Sequence, residues 1–356
     1  MDIGIIGLPS SGKSCLYRTL TGARNAAGSY APGGSIETMP AQIPDERLVR
    51  LSKMEASKKT TFAQVNVSDV TGLVSGESGA RQTSAEILGK VRNFDLLAVV
   101  LRDFANDSVA HILGSVNAER DLAEVESELA VGDLVIIERR IEKINGLKAR
   151  TREQRAEDEA EITALRKLRA GLEEGTPVRS VELGESDRYR LRHFPFLTSH
   201  EPLIVLNVDE DRLNDPVPEF LSSRPAVAVA AATESELGDL DAAERAEFTE
   251  ALGISRPLPE RVMRAALAAG GMATFFTIGP TEARSWLVRD GEPAVDAAEK
   301  IHRDIARGFI RAEVLSSADF FEHGPWKNLK GTGVVREEGK EYPVRDGDII
   351  NVRFSA

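Results

Sequence analysis

The chain has 356 residues, 42% hydrophobic, 29% charged and only 5% aromatic, the make-up of a folded protein of two or three domains rather than a fibrous or disordered one. Its 45 Lys and Arg against 57 Asp and Glu give a net charge of −12, which excludes a globally basic nucleic-acid binder but not a local basic patch. A single cysteine excludes an internal disulfide, Met1 runs straight into a strand-like segment, and no apolar run approaches the roughly 20 residues that span a bilayer; a cytoplasmic protein outside the membrane is expected.

Ile3-Gly4-Ile5-Ile6 is the first of four short apolar runs. The others are Leu96 to Leu101, Leu203 to Leu206 and Val227 to Ala231, each followed by polar or Gly-rich turn chemistry. Such runs read as buried parallel strands of an α/β sheet. Gly7-Leu8-Pro9-Ser10-Ser11-Gly12-Lys13-Ser14 follows the first run and precedes a helix-like Cys15 to Leu20, so spacing and context both fit a phosphate-binding loop. Ser10, Ser11, Gly12, Lys13, Ser14 and Cys15 are expected to cradle phosphates through backbone N–H groups and the positive end of the helix. Lys13 reaches the β and γ phosphates in this reading, and the Ser14 hydroxyl coordinates Mg²⁺.

Phe62, Val65 and Val67 sit among polar residues, a looser pattern that suits a peripheral strand ending at Asp69. Asp69-Val70-Thr71-Gly72 then serves as a second phosphate-sensing element, with Asp69 holding Mg²⁺ through water and the Gly72 N–H facing the γ-phosphate. Leu73 stands where many GTPases carry the glutamine that orients the attacking water.

Leu122, Val125, Leu129, Ile137, Ile141 and Ile144 recur at helical spacing, and after Asn145-Gly146 so do Ile162, Leu165, Leu168 and Leu172. Residues 116–195 are therefore read as an antiparallel helical hairpin or coiled coil inserted into the sheet domain. Near its tip, residues 139 to 155 hold Arg139, Arg140, Lys143, Lys148, Arg150, Arg152 and Arg155 against Glu142 and Glu153. That local excess of positive charge fits either a solvated tip or docking on RNA phosphates.

The third run ends in Asn207-Val208-Asp209-Glu210, where GTPases place Asn-Lys-x-Asp so that an aspartate accepts from both guanine N1–H and N2–H₂. Glu210 occupies the aspartate position, which weakens guanine preference, although a one-residue shift would present Asp209 instead. From about Ala273 the pattern changes again. Thr274 to Ile278 reads as a strand, Val295 to Ile305 as a helix, and Tyr342 to Val344 with Ile349 to Phe354 flank a turn, together a small α+β module. His302 and Asp304, two residues apart without further ligands, read as structural. The expected division is 1–115 with 196–272, 116–195, and 273–356.

These stretches, together with Ala231-Ala232 before Glu234-Ser235-Glu236, Phe275 to Pro280, and Gly308 to Glu313, resemble the YchF family of Obg-like ATPases in the translation-factor-related P-loop GTPase class. The resemblance covers nearly the whole chain. It implies an α/β fold: a Ras-like P-loop NTPase (OBG-type G) domain with an inserted α-helical coiled-coil domain and a C-terminal β-grasp (TGS) domain. It implies ATP preference over GTP, with Asn207, Val208 and Glu210 at the base and Ala231 and Ala232 in the loop closing over it. It also implies His111 as the group orienting water beside Lys13 and Gly72, and association with the ribosome or ribosomal RNA through the basic hairpin tip and TGS domain.

Departures from the family pattern matter too. Ser35-Ile36-Glu37-Thr38-Met39 replaces a Thr-Ile-Glu-Pro-Asn switch, leaving Ser35 as the first-switch Mg²⁺ ligand; Cys15 replaces a threonine; Ala80 to Ala85 lack the family's glycines. The reading is a slow Mg²⁺-dependent ATPase acting as a switch in translation, monomeric by preference. A nucleotide-gated adaptor with little hydrolysis, or a GTPase using Asp209, remains open.

Overall fold

The computed structural model describes residues 1–23, 36–72, 81–146, 151–238, 240–329 and 333–355. In chain order its main elements begin β1 (Asp2–Ile6), α1 (Lys13–Thr21), β2 (Ile36–Gln42), α2 (Glu46–Glu55), β3 (Thr60–Thr61), β4 (Gln64–Val70), α3 (Arg81–Val91) and β5 (Leu96–Asp103). Then come α4 (Ala118–Asn145), α5 (Arg152–Glu173), α6 (Glu185–Leu191), β6 (Leu203–Val208), β7 (Ala226–Val229), α7 (Ala231–Leu237), α8 (Ala242–Ala251) and α9 (Leu258–Ala269). The tail holds β8 (Met272–Thr277), β9 (Ala283–Arg289), α10 (Ala294–Ile301), α11 (Arg303–Arg307), β10 (Phe309–Ser316), α12 (Ser317–His323), α13 (Trp326–Leu329), β11 (Arg336–Glu338) and β12 (Asp348–Phe354). They form two compact units, Met1–Met39 with Asn66–Ser255, and Pro40–Val65 with Arg256–Ala356.

The first unit is built on a sheet of order β2-β4-β1-β5-β6-β7, with β1 parallel to β4 and β5, β5 parallel to β6, and β6 parallel to β7. β5 and β6 are buried almost throughout, as their unbroken apolar runs require, because a strand covered on both faces has no solvated side to alternate toward. The registers Ile5↔Asp69 and Asn207↔Val229 bring the strand ends that carry polar residues to one edge of the sheet. β4 alternates only at its start; Val67 to Val70 are buried between β2 and β1, so its second half is interior rather than peripheral. The run from Val227 also ends sooner than its apolarity suggests: β7 stops at Val229 and Ala231 opens α7, consistent with the helix preference of alanine.

α4 starts on the sheet, where Leu122, Val125 and Leu129 join the sheet's core, and ends in the hairpin. There Ile137 packs with Ala164, Leu165, Leu168 and Leu172 of α5 and with Leu191 and Phe196. Asn117 caps α4 and a Thr151–Gln154 capping box starts α5. Fully buried Asp133 in mid-α4 accepts from Leu197 N (2.8 Å), Thr198 N (2.9 Å), the Thr198 hydroxyl (2.9 Å) and Arg92 Nη1 (2.8 Å). Arg92, just past α3, also donates to the carbonyls of Gly132 and Pro195, tying α3 to both the way into and the way out of the hairpin.

The second unit carries a sheet of order β11-β10-β12-β8-β9-β3, antiparallel in the pairs β8–β9 and β10–β12 and parallel between β12 and β8 and between β3 and β9. It starts at Arg256, upstream of the expected boundary at 273, and takes in residues 40–65. Leu48 and Leu51 of α2 are fully buried against Phe276, Ala283, Leu315, Phe320 and Ile349, contacts of long sequence separation that local patterning does not reveal. Arg47 reinforces them, pairing with Asp45 (2.8 Å) and Asp346 (2.6 Å). The single helix expected over Val295 to Ile305 is two, α10 and α11. His302 breaks it in extended backbone (φ −166°) and caps α11 by accepting the Asp304 N–H at Nδ1 (3.2 Å), the structural part expected of it. Tyr342 to Val344 makes only an isolated bridge, Pro293 to Pro343, rather than a strand.

Candidate nucleotide-binding site

β1 delivers the loop Gly7 to Ser14 to the edge where β4, β6 and β7 also end. Gly7 (φ 146°) and Gly12 (φ 98°) occupy backbone conformations that L side chains rarely adopt, and each is also closely covered: a β-carbon at Gly7 would run into the Val100 carbonyl, and one at Gly12 into the Asn207 side-chain nitrogen. Ser10, exposed, takes the left-handed conformation without being glycine (φ 62°), a cost of about 1 kcal/mol that the loop must recover elsewhere.

Lys13 opens α1 and is buried, its Nζ donating to the carbonyls of Gly7 (2.9 Å) and Leu8 (2.6 Å). Burial lowers the ammonium pKa from 10.5 to about 8, with Asp69 pulling the other way. The Ser14 hydroxyl donates to Asp69 Oδ2 at 2.6 Å. Asp69 Oδ1 and the Ser11 hydroxyl are buried and have no hydrogen-bond partner among the described residues. An orphaned carboxylate oxygen beside a serine hydroxyl is the hard oxygen pair that suits Mg²⁺. Gly72 follows with φ 84°. Ser35 lies outside the described residues, as do Leu73, Lys148 and Arg150.

Asn207, only 5% exposed, does not present its amide to solvent. Its Nδ2 donates to the Ser11 carbonyl (3.0 Å) and its Oδ1 accepts the Ala231 N–H (3.0 Å), so it ties the phosphate loop to the start of α7. Cys15 adds a second tie, its thiol donating to the Ala231 carbonyl (3.2 Å); burial raises its pKa. Val208 ends β6 with its side chain in the sheet core, Ala231 is buried, and Ala232 is exposed on the first turn of α7. Glu210 is exposed and accepts from the Thr233 hydroxyl at 3.0 Å, whereas Asp209 accepts the Ala105 N–H at 3.1 Å. The two neighbouring carboxylates are therefore engaged differently, Glu210 beside α7 and Asp209 by the loop after β5.

His111 is not gathered with these groups. Its side chain is 3% exposed; Nδ1 accepts the Leu113 N–H (3.1 Å), which leaves the Nε2–H to donate to Asp121 Oδ2 (2.7 Å). Arg102, which the sequence reading passed over, is buried at the end of β5 and donates to the carbonyls of Asn106 (3.2 Å) and Val109 (3.0 Å) with its guanidinium over the Phe104 ring. It shapes the loop leading to His111. A cation ending an otherwise apolar run was the signal available for it.

A 50S ribosome-binding GTPase family model matches residues 2–137, and the YchF-GTPase C-terminal model, described as a protein of unknown function, matches residues 272–355. The protein is 35% identical over 367 residues to the ribosome-binding ATPase YchF of Bacillus subtilis strain 168, covering 100% of this chain and 99% of that one. The chain belongs to the YchF family. The YchF of Escherichia coli O157:H7, also named a ribosome-binding ATPase, is 35% identical over 361 residues, with 99% of this chain and 98% of that one covered. The structure of the Schizosaccharomyces pombe YchF GTPase superposes with a TM-score of 0.80 at 24% identity, over 99% of this chain and 97% of that one, a likeness of fold. This YchF-family chain is thus an α/β protein with a P-loop NTPase domain, and no helix among its described residues is long and apolar enough to cross a membrane.

Proposed function

We propose that this protein is a Mg²⁺-dependent NTPase that prefers ATP to GTP, turns over slowly alone, and works as a nucleotide-dependent switch on ribosomes in the cytoplasm, acting as a monomer. The observation that carries the base preference is the division of labour at the end of β6. Asp209, the residue a GTPase would need in a shifted register, is held by the Ala105 N–H, while Glu210 remains exposed beside Thr233. A glutamate there does not match the paired donors of guanine, and the single exocyclic amine of adenine does not require that match.

In this reading the backbone of Ser10 to Cys15 binds the phosphates, and Lys13, already desolvated, gains an anionic partner that favours its charged form. Ser14 and Asp69, with Ser35, hold Mg²⁺, which when bound neutralises charge on the β and γ phosphates. Gly72 N–H contacts the γ-phosphate, and Asn207, Val208, Glu210, Ala231 and Ala232 surround the base. His111 orients water only after exchanging its Asp121 hydrogen bond, which accords with low intrinsic turnover. The ribosome is the partner suggested by the relatives' names. Arg139, Lys143, Arg152 and Arg155 near the hairpin tip are exposed, whereas Arg140 is spent on Glu161. The domain assignment offered is a G domain with a coiled-coil insertion and a C-terminal TGS domain.

Calorimetric titration with slowly hydrolysed ATP and GTP analogues in Mg²⁺, beside phosphate release with and without ribosomes, tests the proposal. ATP bound at least about tenfold tighter, or about 1.4 kcal/mol, with release stimulated by ribosomes is the expected result. Preference for GTP refutes the role given to Glu210, and tight binding without release leaves an adaptor instead of an enzyme.

A further inference from the structure

We infer that the helical insertion carries a single-stranded RNA contact away from its tip, formed by Arg188, Tyr189, Arg192 and His193, with a base stacked on Tyr189 and phosphates beside the two arginines. Tyr189 is 68% exposed, the most exposed large apolar side chain among the described residues. Arg192 lies with its guanidinium carbon 3.3 Å from the Tyr189 ring centroid and donates Nη1 to the Tyr189 carbonyl at 2.7 Å, so one cation already covers a face of the ring and stacking falls to the opposite face. Arg188, Tyr189, Arg192 and His193 are all exposed, and their spacing from α6 into the following turn sets them along one side.

Positive charge accompanies the exposed ring. Some arginines of the first unit are matched to carboxylates, as Arg179 and Arg224 are to Glu126 and Glu201. Neither Arg188 nor Arg192 has a carboxylate partner among the described residues. The nearby Asp187 is already neutralised by Arg190 (3.1 Å) and Lys167 (3.6 Å), leaving Glu185 at the start of α6 as the opposing exposed acid. Beneath, Leu191 is buried with Leu165, Leu168 and Phe196, so the platform sits on packed helix and does not have to be ordered on binding. Cations without carboxylate partners beside an exposed aromatic ring suit a polyanion with unpaired bases, since stacking needs a π-face and the arginines can take phosphate. The inference deepens the ribosome reading, on which it rests for its biological occasion.

The test uses the full chain and a fluorescein-labelled single-stranded RNA dodecamer, followed by anisotropy over a salt series, with ribosome co-sedimentation measured separately. Tyr189→Ala is expected to weaken oligonucleotide binding about tenfold, while Tyr189→Phe, which keeps the stacking face, stays within about twofold. Arg188→Gln with Arg192→Gln should lower the slope of log affinity against log salt by about 1.4, the value for two released phosphate contacts on a single strand. All these side chains are exposed, and circular dichroism verifies the fold of each variant. Unchanged binding by Tyr189→Ala, or no binding by the unaltered chain, overturns the inference. So does impaired co-sedimentation of Tyr189→Ala with oligonucleotide binding intact, which assigns the surface to a protein partner. Oligonucleotide binding by the unaltered chain without ribosome co-sedimentation supports this surface while failing the ribosome reading.

Discussion

Replacing Asn207 by alanine should do more damage than loss of a base contact implies. The side chain makes two hydrogen bonds in a buried setting, to the Ser11 carbonyl and from the Ala231 N–H, each at 3.0 Å. Ala230, the residue before α7, supplies no side-chain cap, so Asn207 serves the helix N-terminus from another strand. Truncation leaves a buried carbonyl and a buried N–H without partners, at about 1–3 kcal/mol each, or about 3 kcal/mol for the pair allowing for partial relaxation. For a folding unit of this size that corresponds to a fall of about 6–12 °C in its unfolding midpoint. Differential scanning calorimetry of the full chain measures the shift, and a fluorescent ATP analogue reports the loosening of the phosphate loop as weaker binding. Asn207→Asp should behave no better, because it sets an acceptor against the Ser11 carbonyl. A midpoint shift below about 2 °C with nucleotide affinity unchanged would show that the two loops are held together by something else.

Two other perturbations follow from the same physical reasoning. Asp133→Ala strands Arg92 and the amides of Leu197 and Thr198, and should destabilise the first unit by about 3–5 kcal/mol, with Asp133→Asn recovering part of that in urea unfolding. Partial desolvation by itself raises the pKa of the exposed Asp346, but the hydrogen bonds from Arg47 and the Thr274 N–H outweigh it and hold the pKa below 3.8. A carboxyl lowered on folding contributes stability above its unfolded pKa and loses it as pH falls through the folded one. Asp346→Asn should therefore lower the unfolding midpoint of the second unit at neutral pH and flatten its acid dependence below pH 3.8, and parallel curves for the two proteins would contradict the pairing.

Wherever one short segment contained the whole physical cause, the sequence was legible. Gly7 to Ser14 must form a tight phosphate loop because only glycine takes the conformations at Gly7 and Gly12 cheaply, and the apolar runs of β1, β5 and β6 admit little but buried parallel strands. The hairpin was equally plain from its spacing of three and four. By contrast, the strand ended at Val229 rather than Ala231, where Asn207 of β6 accepts the Ala231 N–H at the start of α7, and the helix broke at His302, which is extended and itself caps α11.

By itself the sequence determined the α/β class, the order of the elements and the family, since local periodicity and contiguous motifs carry that information. Only the tertiary structure decided that Asn207 braces two loops, that Asp209 is held while Glu210 is exposed, that both nitrogens of His111 are engaged, and that residues 40–65 fold with the C-terminal tail. Each of these depends on partners distant in the chain, and which partners are satisfied is settled when the backbone closes and buried polar groups compete for the donors within reach.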